Sequence, residues 1–324
     1  MRKLWIALAS LVWLSSGQAQ ALDLQFAISW DPSITERQYI GEPFAKNVEA
    51  ASKGGIKLQV KGPESIPAFE QLQPTRAGAV QLLLTHGAYH YGTTGIGVAL
   101  DAIDGPPVKR RESGVWDQVD KDYQKIGLKL IAMPGSNKRG YHIMLREPLT
   151  ANGDLQGRKI RATPTYFPLL KLLGASAVTL PPSEIYTALE KGVIDGTTWP
   201  STSMINTRYY EVAKFMIRPT FGNSTVVILM NLAAFNKLDD GQRKILLDEG
   251  RKIEESYYVD FDQVSLKEEV ELKARGVKVT ELPDRIKGQL PQIWADGIWS
   301  MVEQKNPQEG KELRELARKA GLTR

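Results

Sequence analysis

The chain has 324 residues, of which 42% are hydrophobic and 24% are charged, a composition typical of folded globular proteins. Cysteine is absent, which excludes disulfides, zinc–thiolate sites, iron–sulfur clusters and a cysteine nucleophile. The formal charge of +5 is small, and no Lys/Arg-rich run contains interleaved aromatic residues, so the sequence does not indicate a nucleic-acid-binding protein. At about 150 residues per domain, the length fits one large or two medium domains.

The first 21 residues have the three parts of an export signal. Residues 2–3 are positive, residues 4–14 are apolar, and residues 19–21 have the small-x-small pattern that a signal peptidase reads. The apolar run is shorter than the about 20 residues of a membrane-spanning helix, which favours a cleaved leader over an N-terminal anchor. We therefore expect a signal peptide over residues 1–21. An exported chain without disulfides fits a bacterial periplasm, with the mature protein starting at about Leu22.

The rest of the chain alternates between two kinds of apolar pattern. Short alternating or apolar runs predict β-strands, and apolar residues every three or four positions predict α-helices. This alternation indicates α/β units. The predicted strands lie at residues 22–28, 56–60, 80–85, 128–132, 143–145, 159–162 and 226–231. The predicted helices lie at residues 71–78, 116–126, 165–173, 183–191, 239–275, 290–302 and 309–320, after a first helix capped by Thr35 with Ile40, Phe44 and Val48 on one face.

The helix predicted from Asp239 is unusually long. Gln242 stands at its third position in a capping-box-like arrangement, and the helical pattern continues to Arg275 with one interruption at Gly250. At 1.5 Å per residue this helix is about 50 Å long, more than one small domain needs. It can therefore lie across two lobes. Because no repeat, low-complexity segment or flexible linker separates the lobes, we expect several crossing strands to join them.

Motifs of catalysis and metal binding are missing from the sequence. The zinc-protease, phosphate-loop and serine-hydrolase motifs do not occur, and Gly95-Ile96-Gly97 begins like a dinucleotide loop but lacks the third glycine. His86 and His90 are four residues apart, yet their surroundings are loop-like and no acidic residue completes a metal site. We therefore predict a protein that is not an enzyme and has no cofactor or metal. An exported hydrolase is the alternative from a different class.

Residues 149–200 contain a series of linked motifs. The series consists of Asp154-Leu155-x-Gly157-x-Lys159-Ile160-Arg161, a helix closing at Leu173-Gly174-Ala175, Pro182-Ser183-Glu184-Ile185-Tyr186-Thr187-Ala188-Leu189, and Gly192-Val193-Ile194-Asp195-Gly196. This segment resembles the periplasmic substrate-binding proteins of tripartite ATP-independent periplasmic (TRAP) transporters, the dicarboxylate-binding-protein-like group. The rest of the mature chain fits that family in length and order, with weaker residue-level matches.

The resemblance implies a fold and a role for the whole chain. It implies a two-lobed α/β periplasmic binding protein fold with a hinge and a long domain-spanning helix. Such a protein closes on its ligand and passes it to the TRAP membrane permease subunits without hydrolysing ATP. We expect lobe I to comprise residues 22–138 and 225–266, lobe II to comprise residues 139–224 and 267–324, and the protein to be a monomer. A sensory receptor as the partner, in place of a permease, is an alternative that the sequence leaves open.

Arg161 is the residue that the resemblance places at the ligand. In the family, the arginine of the KIR element pairs with the carboxylate of the ligand. The planar guanidinium suits this role, because it can hold a carboxylate through two charge-assisted hydrogen bonds and stays charged when closure excludes water. An ion pair between strands is the structural alternative for Arg161.

Several positions depart from the family pattern in the same direction. Trp199 stands where many members have asparagine, and Tyr141-His142 occupies a region where many members have a second arginine, with Arg139 close by. Phe69 replaces an arginine that is frequent near the first-lobe helix. These exchanges predict a pocket for one carboxylate with an aromatic body, such as a cinnamate- or phenylacetate-like acid. Packing in the hinge or core is the alternative for Trp199 and Phe69.

Four further residues are candidates for the cleft wall. They are aromatic or hydrogen-bonding residues on the loop sides of predicted elements: His86, Tyr89, Tyr166 and Trp30. If His142 or Arg139 binds a second carboxylate, the ligand class changes. The alternatives for the ligand are therefore a dicarboxylate or an aliphatic hydroxy or keto acid.

Overall fold

The computed structural model of the protein describes residues 21–324. The predicted signal peptide lies outside these residues except for its last position. Across the described range, we find no helix that combines the length and the apolar character needed to cross a membrane. The described chain forms two β-sheets with helices packed around them, which confirms the predicted α/β class.

The strands of the two sheets alternate along the chain. They are β1 (Leu22–Ile28), β2 (Ile56–Lys61), β3 (Leu82–His86), β4 (Leu128–Ala132), β5 (Tyr141–Leu145), β6 (Lys159–Arg161), β7 (Ser176–Val178), β8 (Gly196–Pro200), β9 (Phe215–Arg218), β10 (Val226–Asn231) and β11 (Lys278–Glu281). The first sheet has five strands in the order β2-β1-β3-β10-β4, and the second has six in the order β11-β9-β5-β8-β6-β7. β3 and β10 are buried at every position, which explains their continuous apolar runs.

The helices cover the faces of both sheets. They are α1 (Glu42–Ala51), α2 (Leu72–Arg76), α3 (Ile96–Ala99), α4 (Pro107–Glu112), α5 (Val115–Gln124), α6 (Phe167–Leu172), α7 (Ile185–Glu190), α8 (Tyr209–Val212), α9 (Leu232–Lys237), α10 (Asp240–Ala274), α11 (Asp284–Lys287), α12 (Leu290–Lys305) and α13 (Pro307–Lys319). Short 3₁₀ turns precede α6 and α7, so these two helices begin later than their sequence patterns predict.

The start of the first helix differs from its prediction. The Thr35 hydroxyl lies 2.8 Å from the Ser203 hydroxyl, and its backbone N–H donates to the same oxygen at 2.9 Å. Thr35 therefore does not cap a helix, and a π-helical turn over Arg37–Gly41 leads into α1 instead. The predicted apolar face is correct, because Ile40, Phe44 and Val48 are all fully buried.

The long helix α10 confirms the predicted element and its cap. The Asp239 carboxylate accepts from the N–H of Gln242 at 2.8 Å, and the Gln242 side-chain oxygen accepts from the N–H of Asp239 at 3.1 Å. Gly250 lies against β4, where a Cβ would stand 2.6 Å from the carbonyl oxygen of Ile131. The interruption in the helical pattern therefore allows α10 to approach the first sheet, and its far end leads into β11 of the second.

Two chain segments connect the sheets beside each other. Residues 133–140 lead from β4 to β5, and residues 219–225 lead from β9 back to β10. The N–H of Ser136 donates to the carbonyl of Ser224 at 2.9 Å, and the N–H of Tyr141 donates to the carbonyl of Phe221 at 2.7 Å. The two connections thus form an antiparallel ribbon. Helices α3 and α5 lie between β3 and β4 in the chain, and the C-terminal helices pack on them: α12 and α13 both contact α3, and α13 contacts α5. Helix α12 also contacts α6, which lies in the part of the chain that forms the second sheet. The division of the chain into lobes stays a prediction.

Candidate functional site

A buried cavity lies where the two sheets meet. It is reached from the carboxyl ends of β1, β3, β6 and β8, the edge at which α/β sheets bind ligands. Its free volume is about 20 Å³, which is room for about one water molecule. The residues that line it are Trp30, Glu36, His86, Tyr89, Tyr141, Arg161, Thr163, Tyr166, Trp199, Pro200, Ser224 and Val226.

Arg161 is the buried cation of this cavity. It is the last residue of β6 and is only 2% exposed. Its Nε donates to the carbonyl oxygen of Leu180 at 2.9 Å, and Nη1 lies 3.5 Å from the carbonyl oxygen of Thr198. Among residues 21–324, Arg161 has no carboxylate partner and its Nη2 has no hydrogen-bond partner. Burying a cation without an anionic partner costs desolvation free energy, and a bound anion would offset that cost.

Trp199 extends the same binding surface. The guanidinium of Arg161 lies over its indole ring at 5.3 Å from the centroid, a cation–π arrangement. The indole N–H of Trp199 is buried and has no acceptor within the described chain. Two N–H groups, on Arg161 and Trp199, are therefore left for an acceptor that residues 21–324 do not supply.

His86 and Tyr141 line the cavity, but their polar atoms are engaged with Asp101. The Tyr141 hydroxyl donates to Asp101 Oδ1 at 2.8 Å, and His86 Nε2 lies 2.9 Å from that hydroxyl and 3.1 Å from Asp101 Oδ2. His86 Nδ1 accepts from the N–H of Ala88 at 3.1 Å, so the proton of the neutral ring sits on Nε2. Because both ring nitrogens are used, His86 is not free to act as a general base.

Aromatic side chains form one wall of the cavity. The indole N–H of Trp30 donates to the Tyr89 hydroxyl at 3.1 Å, and the Tyr89 ring packs edge-on against Phe69 at 4.8 Å between centroids. Phe69 lies outside this cavity, in a neighbouring one of about 230 Å³ that shares Tyr89 and Thr163 with it. Tyr89 thus stands between an inner cavity with Arg161 and an outer aromatic space.

Tyr166 belongs to a second aromatic cluster. Its ring lies 5.0 Å from that of Tyr141 and 5.7 Å from that of Trp294, both in edge-to-face geometry. Burial raises the pKa of the Tyr166 hydroxyl well above its usual value, and the negative charge of Asp101 acts in the same direction. Tyr166 therefore presents a neutral phenol to the cavity.

Arg139 and His142 lie away from the cavity. Arg139 forms an ion pair with Glu269 on α10, and Arg218 pairs with the same carboxylate at 2.6 Å. Although burial opposes ionisation, hydrogen bonds from Arg218 and Lys273 lower the pKa of Glu269 to about 2. His142 is fully buried with Nδ1 3.4 Å from Arg218, and burial lowers its pKa well below the usual value. The second cation considered from the sequence is therefore already paired.

The structure brings together most of the residues singled out from the sequence. Those lining the inner cavity are Arg161, Trp199, Tyr141, His86, Tyr89, Tyr166 and Trp30. Sequence reasoning missed Glu36 and Asp101, the buried carboxylic acids at and behind this lining. Glu36 directly follows Thr35, the residue wrongly predicted to cap the first helix. Asp101 is the charged residue in the otherwise apolar run from Val98 to Ile103, and a charge at such a position was the signal that could have identified it.

Burial also changes the ionisation of Glu36. It is 1% exposed, and desolvation raises its pKa to about 7, against the opposing effects of its own backbone N–H, of His86 and of Tyr257.

As for metals, residues 21–324 contain no group of three or more His, Asp and Glu side chains placed to hold an ion.

Comparisons with known proteins identify the family of the chain. Residues 26–304 match the family of bacterial extracellular solute-binding proteins, family 7 (DctP), so the chain belongs to that family. A solute-binding protein of Albidiferax ferrireducens is 28% identical over 260 residues, which cover 74% of each chain. The family and fold are those of TRAP transport solute-binding proteins and not of enzymes, which confirms the class inferred from residues 149–200.

Two solved structures have the same two-lobed fold. A TRAP periplasmic solute-binding protein from Rhodoferax ferrireducens, with bound malonate, has a TM-score of 0.79 and 24% identity, covering 92% of this chain and 98% of that one. One from Desulfovibrio salexigens, with bound orotic acid, has a TM-score of 0.81 and 20% identity, covering 92% and 98%. The predicted two-lobed fold with its long helix is thereby confirmed.

Proposed function

We propose that this protein captures an organic monocarboxylate in the periplasm and delivers it to TRAP permease subunits. The observation that carries the proposal is Arg161, a buried guanidinium with no carboxylate partner among the described residues and with a free Nη2 beside the cavity. A ligand carboxylate would accept from this nitrogen and from the Trp199 indole N–H, so that each buried donor gains a partner.

The charges around the cavity favour a single carboxylate. Arg139, the candidate for a second ligand-binding cation, and its neighbour Arg218 are both bound to Glu269. The lining itself contributes Glu36, an acid that would repel another anion. We infer that a dicarboxylate such as the malonate of the Rhodoferax relative lacks a partner for its second charge here, although it remains the alternative ligand class.

The rings of the cavity favour an aromatic body on the ligand. Trp30, Tyr89, Tyr166 and Trp199 present flat faces, and aromatic pairs contribute about 0.5–1.5 kcal/mol beyond area burial. The orotic acid bound by the Desulfovibrio relative combines one carboxylate with a planar ring. Because the inner cavity holds only about 20 Å³, such a ligand requires opening of the lobes or rotation of Tyr89 toward the space of about 230 Å³ behind it. An aliphatic hydroxy or keto acid is the alternative that fits with less movement.

Residues 1–21 would export the chain as a cleaved signal peptide, leaving a mature monomer from about Leu22. The connections at residues 133–140 and 219–225, together with α10, would serve as the hinge between lobe I and lobe II. A permease, and not a sensory receptor, is the partner that the family membership supports.

A thermal-shift panel followed by calorimetry tests the proposal. The purified mature protein is screened with benzoate, mandelate, coumarate, lactate, pyruvate, malate, succinate and sialic acid at equal concentration. Titration of the most stabilising acid into Arg161→Ala should then show a loss of about 30-fold or more, since truncating one partner of a buried charged pair costs about 2–5 kcal/mol. Arg158→Ala, which removes a half-buried arginine just before β6, is the matched control. An affinity within threefold of wild type in Arg161→Ala would contradict the site, and stabilisation by succinate or sialic acid alone would contradict the monocarboxylate class.

A further inference from the structure

Glu36 is the buried carboxylic acid in the lining of the cavity that also contains Arg161. Its side chain is 1% exposed, and Oε2 has no hydrogen-bond partner among residues 21–324. Oε1 accepts a long hydrogen bond from the Tyr257 hydroxyl of α10 at 3.4 Å. A buried carboxyl oxygen without a donor is rare in folded proteins, and at a ligand cavity it calls for a donor from the ligand.

The cations around Glu36 do not satisfy it. Arg37, its neighbour in sequence, donates from Nε to Glu42 at 3.0 Å and from Nη1 to the carbonyl oxygen of Trp30 at 3.3 Å. Within the described chain, neither Arg37 nor Arg161 forms an ion pair with Glu36. His86 directs its Nε2 toward Asp101. Oε2 is therefore left as an acceptor on the wall of the cavity.

We propose that Glu36 selects the ligand by accepting a hydrogen bond from an O–H or N–H group that the ligand carries close to its carboxylate. This inference rests on the proposed function, in which Arg161 binds that carboxylate. It narrows the ligand class to hydroxy acids and to acids with an N–H group beside the carboxylate. A site built around a buried acceptor rejects an analogue without the donor, because the acceptor is then left unpaired.

Electrostatics support an acceptor role that depends on the ligand. Burial raises the pKa of Glu36 to about 7, so the empty site holds the ionised and neutral forms in similar amounts near neutral pH. A donor on the ligand favours the ionised form, and its hydrogen bond to a carboxylate is about twice as strong as one between neutral groups. The opposite role, in which neutral Glu36 donates to a ligand carbonyl, predicts a different ranking of ligands.

Two series of acids that differ in one group distinguish these roles. The aromatic series is mandelate, benzoylformate and phenylacetate, and the aliphatic series is lactate, pyruvate and propionate. In each, the members carry a hydroxyl donor, a keto acceptor or neither beside the carboxylate. Calorimetry on the mature wild-type protein should show the hydroxy acid of at least one series binding about tenfold or more tighter than both other members.

Variants of Glu36 and Tyr257 test whether the preference for the hydroxy acid depends on Oε2 of Glu36. Glu36→Met keeps the side-chain length and removes the acceptor, so the preference for the hydroxy acid should fall to within threefold. Glu36→Gln keeps a neutral acceptor and should retain an intermediate preference. Tyr257→Phe removes the donor to Oε1 but leaves Oε2 in place, and it should keep the wild-type preference. Melting curves without ligand check that each variant folds, and Glu36→Gln provides the test if Glu36→Met does not.

Other results overturn either this inference or the proposed function on which it rests. Equal binding of the hydroxy acid and its unsubstituted analogue, or a preference for the keto acid that Glu36→Met abolishes, shows that Glu36 is not an acceptor, while the Arg161 site still stands. If Arg161→Ala binds the acids with the affinity of the wild-type protein, the proposed function is contradicted instead. If none of the six acids binds, both the monocarboxylate class and this inference are wrong.

Discussion

The hydroxyl of Tyr141 donates a hydrogen bond to Asp101 Oδ1 over 2.8 Å and thereby links the segment between β3 and β4 to the first residue of β5. Asp101 is fully buried, and its other oxygen accepts from the Thr165 hydroxyl at 3.0 Å. Tyr141 and Thr165 both belong to the part of the chain that forms the second sheet. The carboxylate of Asp101, in a connection of the first sheet, thus binds the hydroxyls of Tyr141 and Thr165 from the second-sheet part of the chain, beside the cavity.

Removal of this link should favour the open form. Tyr141→Phe keeps the ring and deletes the hydroxyl, leaving Asp101 one donor short, at a cost of about 1–3 kcal/mol in the free energy of unfolding. Tyr123→Phe is the matched control, because its buried hydroxyl pairs with His90 at 2.9 Å within the first sheet's connections. Urea unfolding should show that both variants are less stable. Only Tyr141→Phe should enlarge the radius of gyration of the ligand-saturated protein, and equal radii in the two variants would contradict the link.

Ligand binding should close the two lobes about the ribbon of residues 133–140 and 219–225. Hinge closure reduces the overall dimensions of a two-lobed protein, so small-angle X-ray scattering should give a smaller radius of gyration with saturating ligand than without it. The melting temperature should also rise with ligand concentration, because the ligand binds the folded form alone. A rise in melting temperature with an unchanged radius would contradict closure while leaving binding intact.

Much of the fold could be predicted because its apolar patterns are local. The strand 22–28 and the helix face of Ile40, Phe44 and Val48 are set by side-chain periodicity, and the capping box at Asp239 is set by residues three apart. The short strands β7, β8, β9 and β11 were not predicted. β8 reads Gly-Thr-Thr-Trp-Pro, which alternates in neither hydrophobicity nor size, and it becomes a strand only through pairing with β5 and β6.

The candidate site could be predicted in part for a related reason. Arg161 belongs to a contiguous motif and was found, whereas Glu36 gains its position from tertiary packing against Tyr257, more than 200 residues away. Thr35 is the instructive error, since a good capping residue found a better partner in Ser203, which local sequence does not reveal. Partners that are distant along the chain decide which polar residues face a cavity.

Stability should fall as the pH rises through the range in which Glu36 titrates. Its pKa is raised from 4.5 to about 7 by burial, so between these values the folded state holds a proton that the unfolded state has lost. The free energy of unfolding then decreases from about pH 4.5 to about pH 7, by at most about 3 kcal/mol for this group. Burial raises the pKa of Glu268 to about 7 as well and acts with the same sign.

Replacement of Glu36 isolates its share of that slope. Urea unfolding at pH 5 and pH 8 should show a smaller loss of stability in Glu36→Gln than in wild type, with the slope from Glu268 retained. Glu255→Gln, at an exposed position of α10, should leave the slope unchanged. If Glu36→Gln and wild type lose the same free energy between the two pH values, Glu36 is not held neutral by burial.

Arg161 should stabilise the complex at the expense of the free protein. A buried cation without a carboxylate partner in the described chain costs desolvation energy, and its hydrogen bonds to the carbonyls of Leu180 and Thr198 offset part of that cost. Arg161→Met removes the buried charge and also loses the contact of the guanidinium with the Trp199 ring. Because these two effects oppose each other, we expect a free energy of unfolding equal to that of wild type or about 1 kcal/mol higher, with ligand binding abolished. Arg218→Met is the contrasting control, because it removes one cation from the partly buried cluster in which Glu269 also pairs with Arg139 and Lys273, and it should lower stability. A loss of more than about 2 kcal/mol in ligand-free Arg161→Met, measured by urea unfolding, would show that the guanidinium stabilises the fold and is not reserved for a ligand.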